Sequence, residues 1–304
     1  MTETALGALV IILAGAAARR AGVLGPEAGP IIVRLVIYLC LPPLVFRIVA
    51  GADLEPALIL VPLAGWVIHL VLLALSLGTT RGLRVERPRA GALAVATAVG
   101  NTGFFGLPLI AASGGGFSLP AAVMYDTFCT GLVTWTSTVA VARAYGEAGQ
   151  RGRISLRPLA RAFLLPPNWG LAAGLVVNLA GGHLPRVVER PCELLGDAVL
   201  PLVMIYAGVL VDLGGLGRLW RQVSVVAVVR LVLAAILGLG VGLAFRLAGA
   251  TLHTVVLMAA MPTAMLSLVI GTEFRLRADL IAAAVVTTTV VSTLTLPAIR
   301  ALLL

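Results

Sequence analysis

Gly100-Asn101-Thr102-Gly103-Phe104-Phe105-Gly106-Leu107-Pro108 is the stretch on which the fold turns. Three glycines flank an Asn, a Thr and a Pro inside an apolar segment long enough to cross a bilayer. Pro108 has no N–H, so the carbonyl of Phe104 loses its helical donor. A second such place is Met261-Pro262-Thr263-Ala264, where Pro262 does the same to the carbonyl of Met258. Interrupted backbone is tolerated at membrane depth only where it lines a cavity or is buried in protein. The half-helix that follows a break presents free N–H groups and a partial positive charge. Two breaks that cross near the midplane therefore make an anion site that needs no cationic side chain.

Working outward, the whole chain has a membrane composition. Its 304 residues are 60% hydrophobic and 12% charged, with a mean hydropathy of +1.07. A soluble domain is about 45–50% apolar and about 25% charged. Lipid must cover most of this surface. At about 20 apolar residues per helical crossing, the chain reads as ten spans: roughly 4–22, 30–50, 56–78, 89–112 and 119–143, then 163–182, 194–213, 223–247, 252–272 and 279–302. The fold class is an all-α polytopic membrane protein with ten transmembrane helices. The first span is not read as a cleaved signal peptide. Met1-Thr2-Glu3-Thr4 has no positive charge, and Arg19-Arg20 follow the apolar run.

The arginines give direction. All 22 basic residues are arginine. Odd-numbered loops hold Arg19, Arg20, Arg81, Arg84, Arg87, Arg89, Arg143, Arg151, Arg153, Arg157, Arg161, Arg218, Arg221, Arg275 and Arg277. Even loops and the C-terminus hold only Arg47, Arg186, Arg190, Arg246 and Arg300, with Arg34 and Arg230 inside spans. The bias predicts cytoplasmic odd loops and both termini outside, in a multi-pass protein of the cell membrane. The longest polar stretch predicts a cytoplasmic linker at 144–161 between two five-helix halves, 1–143 and 162–304. An odd number of helices per half makes any repeat an inverted one. Prolines support the pairing: Pro42-Pro43 in span 2 answers Pro201 in span 7, and Pro108 in span 4 answers Pro262 in span 9.

Several chemistries lose their support. Without lysine there is neither a Walker A loop nor a Schiff-base enzyme. Cys40, Cys129 and Cys192, like His69, His183 and His253, are scattered, with no zinc-binding spacing. No GxSxG elbow is present. The arginines form no stripe of the kind that binds nucleic acid. The expectation is a non-enzyme, with no metal, no cofactor and no nucleic-acid partner.

The span 4 motif, Gly100 to Pro108, resembles that of the auxin efflux carrier family. The likeness extends to the span 2 diproline, the Pro262 break, the ten-helix count and the central loop, and covers essentially the whole chain. The resemblance implies two inverted five-helix repeats in which broken helices 4 and 9 cross beside the substrate. Helices 1, 2, 6 and 7 would form a scaffold that dimerises, and helices 3–5 and 8–10 a moving transport domain. It implies transport of auxin or of carboxylates such as malate and malonate, and the short central loop is similar to that of bacterial members.

Polar residues within spans are the candidate site. Asn101 and Thr102 either bind substrate or only cap freed backbone groups; Gly103, Pro108, Met261, Pro262 and Thr263 complete the two breaks. Asp126 is the acid deepest in a span, and either carries a coupling proton or pairs with Arg34 or Arg230. His69 is a second coupling candidate or a packed histidine, and Asn178 faces the site from span 6 or bonds a neighbouring helix. Asp197 and Asp212 are read as interfacial, and Gly170 with Gly174 as a close-packing pair. The function expected is alternating-access transport of a small organic anion, driven by membrane potential or protons. The rivals are a sodium-coupled symporter of bile-acid type and a membrane sensor that binds without transporting.

Overall fold

The computed structural model describes residues 2–25, 27–53, 55–113, 115–146, 164–182, 184–210 and 213–304. Most of the expected linker, 147–161 with Arg151, Arg153, Arg157 and Arg161, lies outside the described residues, as do His183 and Asp212. Among the described residues the chain is helical, with one isolated β-bridge and no strand.

The helices run in order α1 (Thr2–Arg20), α2 (Ala28–Ala50), α3 (Leu60–Gly82), α4 (Arg87–Ala98), α5 (Thr102–Ala111), α6 (119–145) and α7 (Pro166–Leu179). They continue as α8 (Arg186–Val209), α9 (Gly217–Ala244), α10 (Gly249–Ala259), α11 (Leu266–Glu273) and α12 (Ala278–Leu303). Five of them, α2, α3, α8, α9 and α12, are long and apolar enough to cross a membrane unaided.

Two apolar segments are each split in two. At 12 and 11 residues, α4 and α10 are too short to cross a bilayer core of about 30 Å at about 1.5 Å per residue. Each is followed after a few non-helical residues by α5 or α11. Val99 is extended, at φ −111°, ψ 121°. The prolines of α2 and α8 act differently, because these helices stay continuous. In α2 a π-helical turn, Val36–Cys40, precedes Pro42 and Pro43, which then sit in the first turn of the next α segment. That wider turn already departs from the i→i−4 ladder, and the helix runs on past the two missing N–H groups to Ala50.

The packing has the polarity expected in lipid. Val10, Leu13, Ile31, Val225, Ile236 and Leu294 point outward, whereas hydroxyls such as Thr138, Thr254, Thr288 and Thr289 are buried. Most of these hydroxyls donate to a carbonyl one turn back on their own helix, as Thr289 does to Val285 at 2.7 Å. The three cysteines are free and buried.

α1 packs along α8, α7 along α2, and α2 also against α8. In a second group α3 and α9 adjoin, α4 lies against α3 and α12, and α10 against α9. Glycines bring the first two pairs into backbone contact. A Cβ at Gly208 would fall 2.1 Å from the Ile12 carbonyl oxygen, and one at Gly170 2.2 Å from that of Pro42. Small residues at helix contacts are how membrane helices gain van der Waals contact where no hydrophobic effect drives them together. Gly208→Val is expected to cost about 1–3 kcal/mol or more, the range for overpacking. A lowered melting temperature in detergent checks it, with Gly217→Val as the control, because among the described residues nothing lies within 4 Å of a Cβ there.

Candidate functional site

The freed backbone groups of the two breaks satisfy each other. Gly100 and Thr263 form the antiparallel bridge. The Asn101 N–H donates to the Pro262 carbonyl at 2.7 Å, and the Ala264 N–H to the Val99 carbonyl at 2.9 Å. Thr263 extends the joint: its hydroxyl donates to the Ala96 carbonyl at 2.9 Å and its N–H to the Thr288 hydroxyl at 3.0 Å. The Met258 carbonyl, stripped of its normal donor by Pro262, accepts from the Met261 N–H at 3.3 Å. The breaks thus cross as a paired unit, with all four half-helix ends meeting there.

On one side of the crossing lies a cavity of about 310 Å³. Its floor is Gly100, Asn101, Thr102 and Gly103 at the start of α5, with Ala264 and Leu266 at the start of α11. Both helix N-termini open there, so the N–H groups of Thr102 and Gly103 have no intrahelical acceptor. No side chain caps either helix among the described residues. One wall is apolar, with Ile37, Leu41 and Val45 of α2, and the opposite wall is α6, with Asp126, Thr127, Thr130, Thr134 and Trp135. The cavity extends to Leu165, Pro167 and Asn168, where α7 begins. π-helical turns at Val36–Cys40, Thr102–Gly106, Asp126–Gly131 and Thr134–Thr138 each contribute to the lining. Such turns re-aim side chains and often mark functional sites.

Asn101 is 3% exposed, and its Nδ2 is buried with no acceptor among the described residues. Buried donors are almost always paired, so an unused one requires a reason. Thr102 donates from Oγ1 to Asp126 Oδ1 at 2.5 Å. A Cβ at Gly103 would stand 3.1 Å from both carboxylate oxygens, so the carboxyl group of Asp126 lies over that glycine. Among the described residues that line the cavity, Asp126 is the one that is charged.

The structure brings Asn101, Thr102, Gly103 and Asp126 together, and sets the other candidates elsewhere. Pro108, Met261, Pro262 and Thr263 are not among the lining residues. Met261 and Pro262 offer their carbonyls to the joint. His69 is behind the crossing, with Nδ1 donating to the Ala98 carbonyl at 3.0 Å and Nε2 2.7 Å from the Ser137 hydroxyl. Asn178 donates to the carbonyls of Ala50 and Ala52, at 3.3 and 2.7 Å, and caps the end of α2. Asp126 forms no ion pair with Arg34 or Arg230 among the described residues. The crossing does hold a cation, which the sequence alone did not require. Arg230, 3% exposed, donates to carbonyls of α4 and of the α10 end on the side away from the cavity. Sequence reasoning also passed over Thr127, Thr130 and Thr134. Their spacing along an apolar span is the helical period of one face, and that was the available signal.

An apolar helical chain with interrupted helices paired at the floor of an internal cavity defines a membrane transporter. The chain belongs to the membrane transport protein family, of auxin efflux carrier type, whose pattern matches residues 1–148 and 150–300. It is 29% identical over 299 residues to an uncharacterized transporter of Methanothermobacter thermautotrophicus, covering 97% of this chain and 96% of that one. It is 24% identical to an uncharacterized transporter of Methanocaldococcus jannaschii over 96% of this chain and 95% of that one. It is 27% identical over 272 residues to a Rhizobium meliloti protein described as "Putative malonate transporter", covering 86% and 82% of the two chains. The chain is a transporter and not an enzyme.

Proposed function

We propose that this transporter carries a small organic anion, bound through a carboxylate, by alternating access, and that a proton on Asp126 accompanies it. The observation that carries the reading is that Asn101, which lines the cavity where two helix N-termini open, has a buried amide Nδ2 with no acceptor among the described residues. A carboxylate there accepts from Nδ2 and from the free N–H groups at the start of α5, in charge-assisted bonds. Among the described residues the lining includes no cation, and the N–H groups and helix ends supply the attraction. An ionised Asp126 would repel the bound anion in this low-dielectric site, and a proton on it removes the repulsion. Malonate is the first substrate to test, from the description of the Rhizobium meliloti relative; malate and indole-3-acetate follow from the family.

The same reading takes the two inverted five-helix halves as the machine. The five long helices, the split pairs α4–α5 and α10–α11, and α1, α6 and α7 together supply ten crossings. The pairs α1–α8 and α7–α2 exchange under the inversion, and both are closed by a glycine on a carbonyl, which supports it. We take α1, α2, α7 and α8 as the scaffold and dimer interface, and the remaining helices as the moving domain. The cavity then lies between the two, with α2 and α7 on one side and α5, α6 and α11 on the other. With arginine-rich loops in the cytoplasm, the end where α7 begins faces inward and this conformation is open to the cytoplasm.

Proteoliposomes loaded with labelled malonate, malate or indole-3-acetate test the proposal under an imposed pH gradient. Saturable flux of at least one anion, accelerated when protons move with it, is expected. Saturable binding without flux would replace the transporter mechanism with that of a sensor.

A further inference from the structure

Arg230 is buried at the crossing, yet the transport cycle proposed above gives it nothing to do. A π-helical turn, Val228–Leu233, carries it inward from α9. Its Nε donates to the Met261 carbonyl at 2.8 Å, and Nη1 donates to those of Thr97 and Ala98 at 3.1 and 3.3 Å. Nη2 donates to the Ala259 carbonyl. These carbonyls belong to the carboxyl ends of α4 and α10, the two half-helices that stop at the breaks. Each such end has unpaired carbonyls and a partial negative charge. No carboxylate pairs with Arg230 among the described residues. His69, Tyr125 and Cys129 are the titratable groups that share its small gap behind the crossing. The guanidinium is therefore balanced by the two helix ends. Gly100 makes room for it, since a Cβ there would come 2.7 Å from Nη2.

A ring of inward carbonyls in a dry interior is cation-binding chemistry, and bare alkali ions are held by such oxygens. Here the ring is filled by a planar fork of N–H donors that never loses its charge and is tied to the chain. We propose that Arg230 is a resident cation. It occupies permanently the one place at the crossing where a mobile alkali ion would be held, so the carrier runs without sodium or potassium. The flux part of this inference rests on the transport reading; the cation site does not.

The experiment has two arms. In the first, purified Arg230→Ala is melted in millimolar guanidinium chloride, urea or sodium chloride. Guanidinium is expected to raise the melting temperature. Urea, which has nearly the same planar shape without the charge, is expected to leave it unchanged. In the second arm, wild-type flux is compared in sodium, potassium and choline media and is expected to agree within about twofold. Arg230→Ala is expected to lose about tenfold or more of that flux, the scale for removing bonds made by a charged group, and guanidinium to restore part of it. If Arg230→Ala does not fold, Arg230→Lys, which keeps the charge, is expected to retain the insensitivity to sodium and potassium. Urea acting as well as guanidinium would reduce Arg230 to a space-filler and overturn the proposal. Wild-type flux that needs sodium or potassium would overturn it equally. If no anion is transported but guanidinium alone stabilises Arg230→Ala, the transport reading fails while the cation site stands.

Discussion

Asn101→Ala is expected to weaken substrate binding about ten- to hundredfold while leaving the protein as stable as before. The amide lost is the buried, unused donor of a cavity-lining residue. A hydrogen bond to a charged group is worth about 1.5–3 kcal/mol, which is about ten- to hundredfold in affinity. Most buried asparagines are satisfied within the protein, and their removal destabilises. Here Nδ2 has no partner to lose, and the backbone N–H that bonds Pro262 is kept. The signature is a fall in binding and flux of about ten- to hundredfold at unchanged melting temperature, read by isothermal titration and thermal unfolding of one preparation. Unaltered binding would remove Asn101 from the site and the proposed function with it.

The second large effect is expected from Asp126→Asn. Asn is nearly isosteric with a protonated carboxyl and still accepts from Thr102, whose hydroxyl now makes the 2.5 Å bond. The variant should bind the anion in a cavity without a titratable group among the described residues, since Asp126 is the one such residue in that lining. From the side of α2 come Ile37, Leu41 and Val45, and from α7 Asn168, none of which ionises. Tyr125 and Cys129 flank Asp126 on its own helix, and Thr102 and Gly103 meet it from α5. The sign follows directly. In the wild type, acid on the side of the anion supplies the proton that binding requires, so uptake rises as pH falls. In the variant that dependence disappears and a pH gradient no longer drives accumulation. A monovalent anion then crosses with its own charge, so flux becomes sensitive to an imposed membrane potential. Proton-driven accumulation persisting in Asp126→Asn would assign coupling to another group.

Gly100 to Pro108 announced the first break because glycine, asparagine and proline each weaken a helix for a separate reason, and they coincide in an apolar run. Pro262 announced the second with less redundancy. What local sequence cannot specify is the partner of a freed group. Met261, Pro262 and Thr263 read as ligand-binding because their helix is interrupted, yet their polar atoms are spent on Arg230, Asn101, Ala96 and Thr288. All four of these contacts join residues from different spans, and the pairing is fixed by how the helices cross. Arg230 was visible as a charge in a span, but its four carbonyl partners come from α4 and the α10 end, remote in sequence. Asn178 was ambiguous for the same reason: an amide in an apolar span serves a ligand or a helix end equally well, and here it closes α2.

The bridge between Gly100 and Thr263 has a mechanical consequence. Sliding one interruption along the other would rupture the Asn101–Pro262 and Ala264–Val99 bonds where no water waits to replace them. In the transport cycle proposed above, the joint would therefore travel as a single rigid piece, and the yielding seam would be the contact of α2 with α6. A compound wedged into that seam, where α2 and α6 also wall the anion pocket, would stall the carrier by pinning its two sides together.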